Sequence, residues 1–413
     1  MGISNLNPYL KKECPEAFKD IPYSYFKGKR IAVDSDNILR KLMSRAHKEV
    51  VNVTNVCAEE PDRKLILERW FGHVRDEILK FLKYGITLIF VFDGAYIDEK
   101  SDTQLKRRAE KEKRVKEATE LKAKIMQLDE LERTPQMITE LRKKMHHLGT
   151  IKPDEKKLIS DILSQIGFPV LYATGEGEKL CVMLAIEGKV SAVYSKDSDI
   201  VAMGCPLSLS EEAGWVYNSE AHKTELALKC TLFKPILQKL NMEYSTFLDL
   251  CIMSGCDFNS NIYRIGVSKS AKLLAEYKSI DNLPESYTEK KCILNHVRCR
   301  EIFKREKAAD ICQGDIILDI NRQPNYGNIL KENNLEYWSE IIDYYQNLPY
   351  PSNIFVEKPP SHSSSKIKLK IKKKEKESPK IPEQKASPNR ITKEMTLSLN
   401  QTRLEKYKQK MGI

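Results

Sequence analysis

Apolar positions along this chain follow two rhythms, and the rhythms alternate. Short unbroken runs, Arg30-Ile-Ala-Val33, Ile86–Phe92, Phe168–Tyr172 and Val190–Tyr194, are rich in β-branched and aromatic residues. Their length and content predict strands buried on both faces, as in a parallel sheet. Between them, stretches such as Leu65–Tyr84 and Lys179–Glu187 place apolar residues at helical spacing. Strand alternating with helix predicts an α/β fold, a parallel sheet flanked by helices.

Two segments break the alternation. Residues 102–149 are highly charged, with apolar Ala118, Leu121, Ile125 and Leu128 at 3-4-3 spacing. Thr134-Pro135 offers an N-cap and a first-turn proline for a second helix ending before Gly149. The pattern predicts a helical hairpin inserted between the second and third strands, either a solvated excursion or a basic clamp above the sheet's carboxyl edge. Further on, Phe247–Met253 reads as a buried helix, followed by Ser254-Gly255-Cys256-Asp257. A second helix opens near Ser268, after Ile265-Gly266. This helix-loop-helix is either an ordinary connection or an element offering backbone N–H groups to phosphate.

The acids change the picture more than the strands do. Val33 is followed by Asp34, Phe92 by Asp93-Gly94, Tyr172 by Ala-Thr-Gly-Glu176-Gly-Glu178, and Tyr194 by Ser-Lys-Asp197-Ser-Asp199. One acid after a strand is usually a turn former or helix cap. Four clusters at the carboxyl ends, where parallel sheets form their functional crevice, point to shared chemistry. Converging carboxylates repel unless cations neutralise them, and two divalent ions are the economical solution. With no sulfur or imidazole alongside, Mg²⁺ or Mn²⁺ suits the donors better than zinc. Asp257 adds a seventh acid, and Asp36 an eighth nearby.

Net charge is +11, unevenly spread. Residues 359–413 hold 13 Lys and 2 Arg against 5 Glu, so this Pro/Ser/Lys-rich tail carries +10 and the remaining residues +1. Such a tail cannot bury enough apolar surface to fold and is expected to be disordered. It is read as a linker or import signal, as an attractor for a polyanion, or as both. The ten cysteines include no CxxC pair and are expected to be reduced core residues. No apolar run approaches the ~18–20 residues that span a bilayer, and the opening residues lack a secretory apolar core. The expectation is an intracellular protein, not secreted and without a membrane partner.

Met1-Gly2-Ile-x-x-Leu6, Val-Asp34, Val-Phe-Asp93-Gly94, Glu176-x-Glu178, Asp197-x-Asp199 and Ser-Gly-Cys-Asp257, in this order, resemble the XPG/flap endonuclease family. The likeness covers about residues 1–108 and 155–275. It implies a PIN-like sheet and metal-dependent hydrolysis of DNA phosphodiesters at 5′ flaps and junctions. It also implies 5′-exonuclease activity, a role in replication or repair, and a nuclear or other replication-site location. Two Mg²⁺ ions are implied, with Mn²⁺ able to substitute. Asp34, Asp93, Glu176 and Glu178 would serve mainly one ion, and Asp197, Asp199 and Asp257 mainly the other. Lys100 and Arg107 align with the family's basic residues at the scissile phosphate. Gly2, Arg40, Gly255, Gly266, Ser268 and Lys269 are the implied DNA-binding positions.

Two positions depart from the family pattern. Arg40 stands where an aromatic residue usually stacks on a base, and Arg264 replaces the first glycine of Gly-Ile-Gly. In the tail, Gln401, Leu404 and Tyr407 resemble a sliding-clamp docking motif whose second aromatic is Lys408. The resulting map is a nuclease core of 1–358 and a tail of 359–413 with the docking motif at 401–408. Within the core lie an N-terminal block 1–108, a helical clamp 109–154, an internal block 155–275 and helical packing 276–358. The alternatives are a related nuclease for four-way junctions or RNA ends, and a DNA-binding scaffold without chemistry.

Overall fold

The computed structural model describes residues 2–94, 101–218, 222–321, 324, 326–346 and 348, all within one structural unit. Seven strands form one sheet among them: β1 Phe18–Pro22, β2 Arg30–Asp34, β3 Thr87–Phe92, β4 Val170–Tyr172, β5 Ala192–Tyr194, β6 Leu207–Asn218 and β7 Lys223–Leu232. Their order is β1-β7-β6-β5-β2-β3-β4. The four apolar runs of the sequence are β2 to β5, and β3 is buried at all six positions, as a strand covered on both faces must be.

The sheet is mixed rather than parallel throughout. Strands β2 to β6 run parallel, while β7 pairs antiparallel with both β6 and β1. β6 alternates between half-buried and exposed positions along its outer part and carries two register shifts, between Leu209 and Glu212 and between Glu212 and Gly214. β1 pairs with β7 across more than 200 residues, Phe18 opposite Thr231. No local apolar run marks these strands, because distant partners rather than core burial define them.

Among the described residues fifteen α-helices accompany the sheet. In chain order, α1 Leu6–Glu13, α2 Ser35–Val53 and α3 Arg63–Leu82 come first. The hairpin is α4 Ser101–Met126 and α5 Pro135–Met145, with Thr134 capping α5 by accepting from the Met137 N–H. Then come α6 Pro153–Gln165, α7 Gly177–Ile186, α8 Asp199–Ala202, α9 Phe233–Leu240, α10 Tyr244–Ser254 and α11 Val267–Tyr277. Beyond residue 280 the described helices are α12 Thr288–Leu294, α13 His296–Ile302, α14 Gly327–Glu332 and α15 Ser339–Gln346.

One core holds α2, α3 and α6 with the sheet and includes the fully buried Trp70, Phe81 and Trp338. A second gathers α7, α10 and α11 with α1. Each large side chain so buried contributes roughly 1.5–3 kcal/mol. A third, smaller cluster seats the hairpin, through Ala118, Ile125, Leu141 and Met145, on Val51, Val56 and Cys57. Asp249 in α10, 2% exposed, accepts from Nε and Nη2 of Arg300 at 2.7 Å and so ties α10 to α13.

None of the ten cysteines is joined in a disulfide, and Cys292 is exposed where a core position was expected. Among the described residues no helix is long and apolar enough to cross a membrane.

The chain adds β3 and β4 on one side of β2, then crosses to put β5 on the other. Such a switch opens a crevice at the carboxyl end of the central strand, here beyond Asp34 and Tyr194.

Candidate metal centre

Each acid is held by the turn that produces it. Asp34 ends β2 and caps α2; its carboxylate accepts from the Asn37 N–H at 3.3 Å and the Ser195 hydroxyl at 2.7 Å. Asp93 follows β3 and accepts from the Gly177 N–H at 2.8 Å, so the end of β3 is pinned to the start of α7. A Cβ on Gly177 would lie 3.0 Å from Asp93 Oδ1, and the neighbouring close approach of Gly94 to the chain after β4 needs glycine, since a Cβ there would lie 2.0 Å from the Ala173 carbonyl oxygen. Glu176 stands at the N-cap position of α7, without a side-chain capping bond to the helix, and Glu178 lies in its first turn. Beyond β5, the Asp197 N–H donates to Ser195 Oγ at 3.1 Å, and the Asp199 N–H donates to Asp197 Oδ1 at 3.2 Å.

Glu178, Asp197 and Asp199 converge: one carboxylate oxygen of each lies within 4.8 Å of the others. Glu178 is 6% exposed and Asp199 1%. The resemblance grouped Glu178 with Asp34, Asp93 and Glu176, whereas the geometry groups it with Asp197 and Asp199. Asp34 is 4% exposed, and burial pushes its carboxyl up to about 7, with the Asp93 charge adding to the rise and the Ser195 hydroxyl opposing it. Asp93 is raised by burial and then by Asp36, against the Gly177 hydrogen bond. The donor set therefore favours a cation on physical grounds. Cys181 lies near the same acids, but burial first and then the Asp34 charge hold it as a thiol, leaving oxygen donors for a hard ion.

Protein cations border the acids. Arg40 lies 3.9 Å from Asp93, and its Nε donates to the Asp36 carbonyl of its own helix, so it is engaged at the centre rather than freely offered to a base. Asp36 accepts from the Asp93 N–H at 2.9 Å and pairs with Lys156 at 2.8 Å. Lys156 was not singled out from the sequence: it is one of several lysines at the start of α6, and only tertiary packing brings it here. Ser195 was missed likewise, as a small residue between flagged acids.

Asp257 lies outside the triplet and pairs with Arg107 of α4, so the base of the hairpin reaches the acids. Gly2, at φ +96°, presses on the same centre: a Cβ there would fall 2.1 Å from Asp197 Oδ1. The Ser4 N–H donates to the Gly255 carbonyl at 2.9 Å, joining the first residues to the end of α10.

In the helix-loop-helix, Gly255 turns at φ +94° and Gly266 caps α11, with Ser268 and Lys269 exposed on its first turn. Arg264 adopts φ +59°, the left-handed conformation of the glycine it replaces, and lies 5.0 Å from the ring of Tyr263, itself 81% exposed. Lys100, Gln401, Leu404 and Tyr407 lie outside the described residues.

Comparison with known proteins adds to this geometry. The family model of the XPG N-terminal domain matches residues 1–114, and that of the XPG I-region matches residues 167–257. The "Probable RAD2-like endonuclease 369L" of Invertebrate iridescent virus 6 is 29% identical over 338 residues, 73% of this chain and 79% of that one. Flap endonuclease 1 of Cryptosporidium parvum is 27% identical over 317 residues, 74% of this chain and 61% of the relative. The solved flap endonuclease-1 from Methanococcus jannaschii has the same fold, with TM-score 0.50 and 20% identity over 80% of this chain and 96% of that one.

Proposed function

The chain belongs to the XPG/flap endonuclease family, and from that premise we propose a divalent-metal-dependent endonuclease that hydrolyses DNA at 5′ flaps and related junctions. The proposal includes 5′-exonuclease activity and a role where DNA is replicated or repaired. The observation that carries it is the convergence of Glu178, Asp197 and Asp199 within 4.8 Å in a buried crevice. Concentrated negative charge opposes a polyanion, so a DNA-binding scaffold without chemistry has no use for it.

Glu178, Asp197 and Asp199 would hold one Mg²⁺ or Mn²⁺ ion, and Asp34, Asp93 and Glu176 a second, with Asp257 at the margin. Such ions supply polarisation of a phosphoryl oxygen and of the attacking water. The protein's own residues do the rest. Ser195 orients Asp34 and the Asp197 amide together. The Gly177 amide fixes the direction of Asp93. Arg107 is paired with Asp257 and can exchange that partner for a phosphate oxygen, offsetting charge that develops during displacement. Lys100 is assigned the same role by family resemblance. Tyr263, Arg264, Ser268 and Lys269 offer a rim for duplex phosphates, and the tail offers Gln401, Leu404 and Tyr407 to a sliding clamp.

The test is cleavage of labelled 5′-flap DNA, nicked duplex, four-way junction and single-stranded RNA, each with Mg²⁺ or EDTA. Preferred, EDTA-sensitive incision of the flap is expected. Preference for the four-way junction or RNA replaces the substrate, and absence of EDTA-sensitive cleavage on every substrate refutes the enzyme.

A further inference from the structure

Asp93 is held in place by a lysine from a different part of the chain. Helix α6 opens at Pro153, and its first turn is anchored to α3. Buried Glu155 accepts from Arg63 Nε at 2.8 Å, and Arg63 Nη2 donates to the Thr150 carbonyl at 2.9 Å. The next residue, Lys156, is held over the end of β3. Its neighbour Lys157 takes the ordinary course of a helix-surface lysine, exposed and paired with Asp161 one turn further on. Lys156 does not. Its Nζ lies 2.8 Å from Asp36 Oδ1, 3.4 Å from the Asp93 carbonyl oxygen and 5.8 Å from the centre of the Phe92 ring.

Asp36 completes the clamp. Its Oδ2 accepts from the Asp93 N–H at 2.9 Å while its Oδ1 receives the Lys156 ammonium. One ion pair, made by α2 and α6, thus grips both the N–H and the carbonyl of a single residue. The Asp93 carboxylate is aimed by other groups: the Gly177 N–H donates to Oδ1 at 2.8 Å, and Arg40 lies 3.9 Å from Oδ2. Asp36 uses both of its oxygens in the clamp, so its part is to orient Asp93 rather than to serve beside it.

We infer that Lys156 is a positioning residue for the second metal ion: paired with Asp36, it fixes the backbone of Asp93 and so the place of that carboxylate. The inference rests on the reading of Asp34, Asp93 and Glu176 as ligands. Groups that orient metal ligands are typically worth ~10–100-fold in metal affinity. Charge alone makes the opposite prediction, since removing an ammonium from beside a cation site favours the cation. The sign of one substitution therefore separates positioning from electrostatics.

The test follows Mn²⁺ binding to the full-length protein without DNA, by loss of the free-ion paramagnetic resonance signal. Wild type is compared with Lys156→Met, Lys156→Arg, Asp36→Asn and the double variant Asp36→Asn/Lys156→Met. Lys156→Met is expected to weaken one class of site about tenfold and to spare the other, at Glu178, Asp197 and Asp199. The spared class reports that the fold is intact. Lys156→Arg keeps a cation able to reach both groups and should recover most of the affinity. Lys156→Met should cost nothing further in the Asp36→Asn protein, because the pair acts as a unit. In EDTA, hydrogen exchange over residues 88–94 reads the clamp without any ion, and Lys156→Met should speed exchange at the Asp93 amide. Unchanged or tighter Mn²⁺ binding, equal weakening of both classes, or unchanged exchange overturns the positioning role and leaves the metal reading standing. A wild type that takes up no Mn²⁺ overturns the metal reading, and the positioning role with it.

Discussion

Asp34→Asn is expected to stabilise the metal-free protein while disabling it. The carboxyl, ordinarily titrating at 3.8, is pushed up to about 7 by burial at the end of β2. A folded pKa above the unfolded one means that the folded state holds the proton more tightly. The contribution is fully present below the unfolded value and is lost as pH rises through about 7. A rise of about 3 pH units at 1.36 kcal/mol each amounts to about 4 kcal/mol at pH 8. Asparagine keeps the shape and one acceptor, its carbonyl oxygen for the Asn37 N–H, while its amide N–H₂ can donate to the Ser195 hydroxyl oxygen in place of the second carboxylate oxygen, and it has no charge to desolvate. Urea unfolding in EDTA, at pH 4.5 and pH 8, gives the difference between variant and wild type, in which other titrating groups largely cancel. The variant should lead by about 4 kcal/mol at pH 8 and by about 1 kcal/mol at pH 4.5. Added Mg²⁺ should narrow the gap at pH 8 by stabilising the wild type more than the variant, which keeps Glu178, Asp197 and Asp199 but lacks one carboxylate of the second set. A variant no more stable than wild type at pH 8, or a gap independent of pH, would refute the claim that a buried, uncompensated charge sits at this strand end.

Asp197→Ala should abolish cleavage while binding of flap DNA in EDTA is retained or strengthened, since it removes both a ligand and a repulsive charge; a gel-shift and incision assay on one substrate checks both. Arg300→Met leaves Asp249 buried without its guanidinium partner and should cost about 3–5 kcal/mol in urea unfolding. Arg264→Gly relieves a left-handed non-glycine backbone and should raise stability by about 1 kcal/mol. The same change should weaken duplex binding, read as a smaller salt slope.

Parts of the molecule are legible in the chain for physical reasons, and others are hidden for equally physical ones. Strands β2, β3 and β5 announce themselves because burial on both faces demands unbroken apolar runs. The acids are legible because strand ends in a parallel sheet converge on one edge. By contrast, β6 reads Leu-Ser-Leu-Ser-Glu-Glu-Ala-Gly-Trp-Val-Tyr-Asn, a mixed pattern that becomes a strand through hydrogen bonds to β7 and a bulge after Leu209. Lys156 is a helix-surface lysine among many others, and what distinguishes it is the company it keeps in three dimensions, Asp36 at 2.8 Å. Arg264 lies between these cases, since its backbone conformation is that of the missing glycine while its side chain turns onto Tyr263.

Strand β2 is hemmed by β3 from the first third of the chain and by β5 from the middle, with the long hairpin spliced between them. The triplet Glu178, Asp197 and Asp199 comes wholly from the later flank, and Asp34 and Asp93 from the earlier one, so neither flank holds all the acids. A nascent polypeptide would stay chemically harmless until its later half has left the ribosome and threaded home, and a nick within residues 127–129, between the two arms of the hairpin, would yield two inert fragments whose reassociation restores activity.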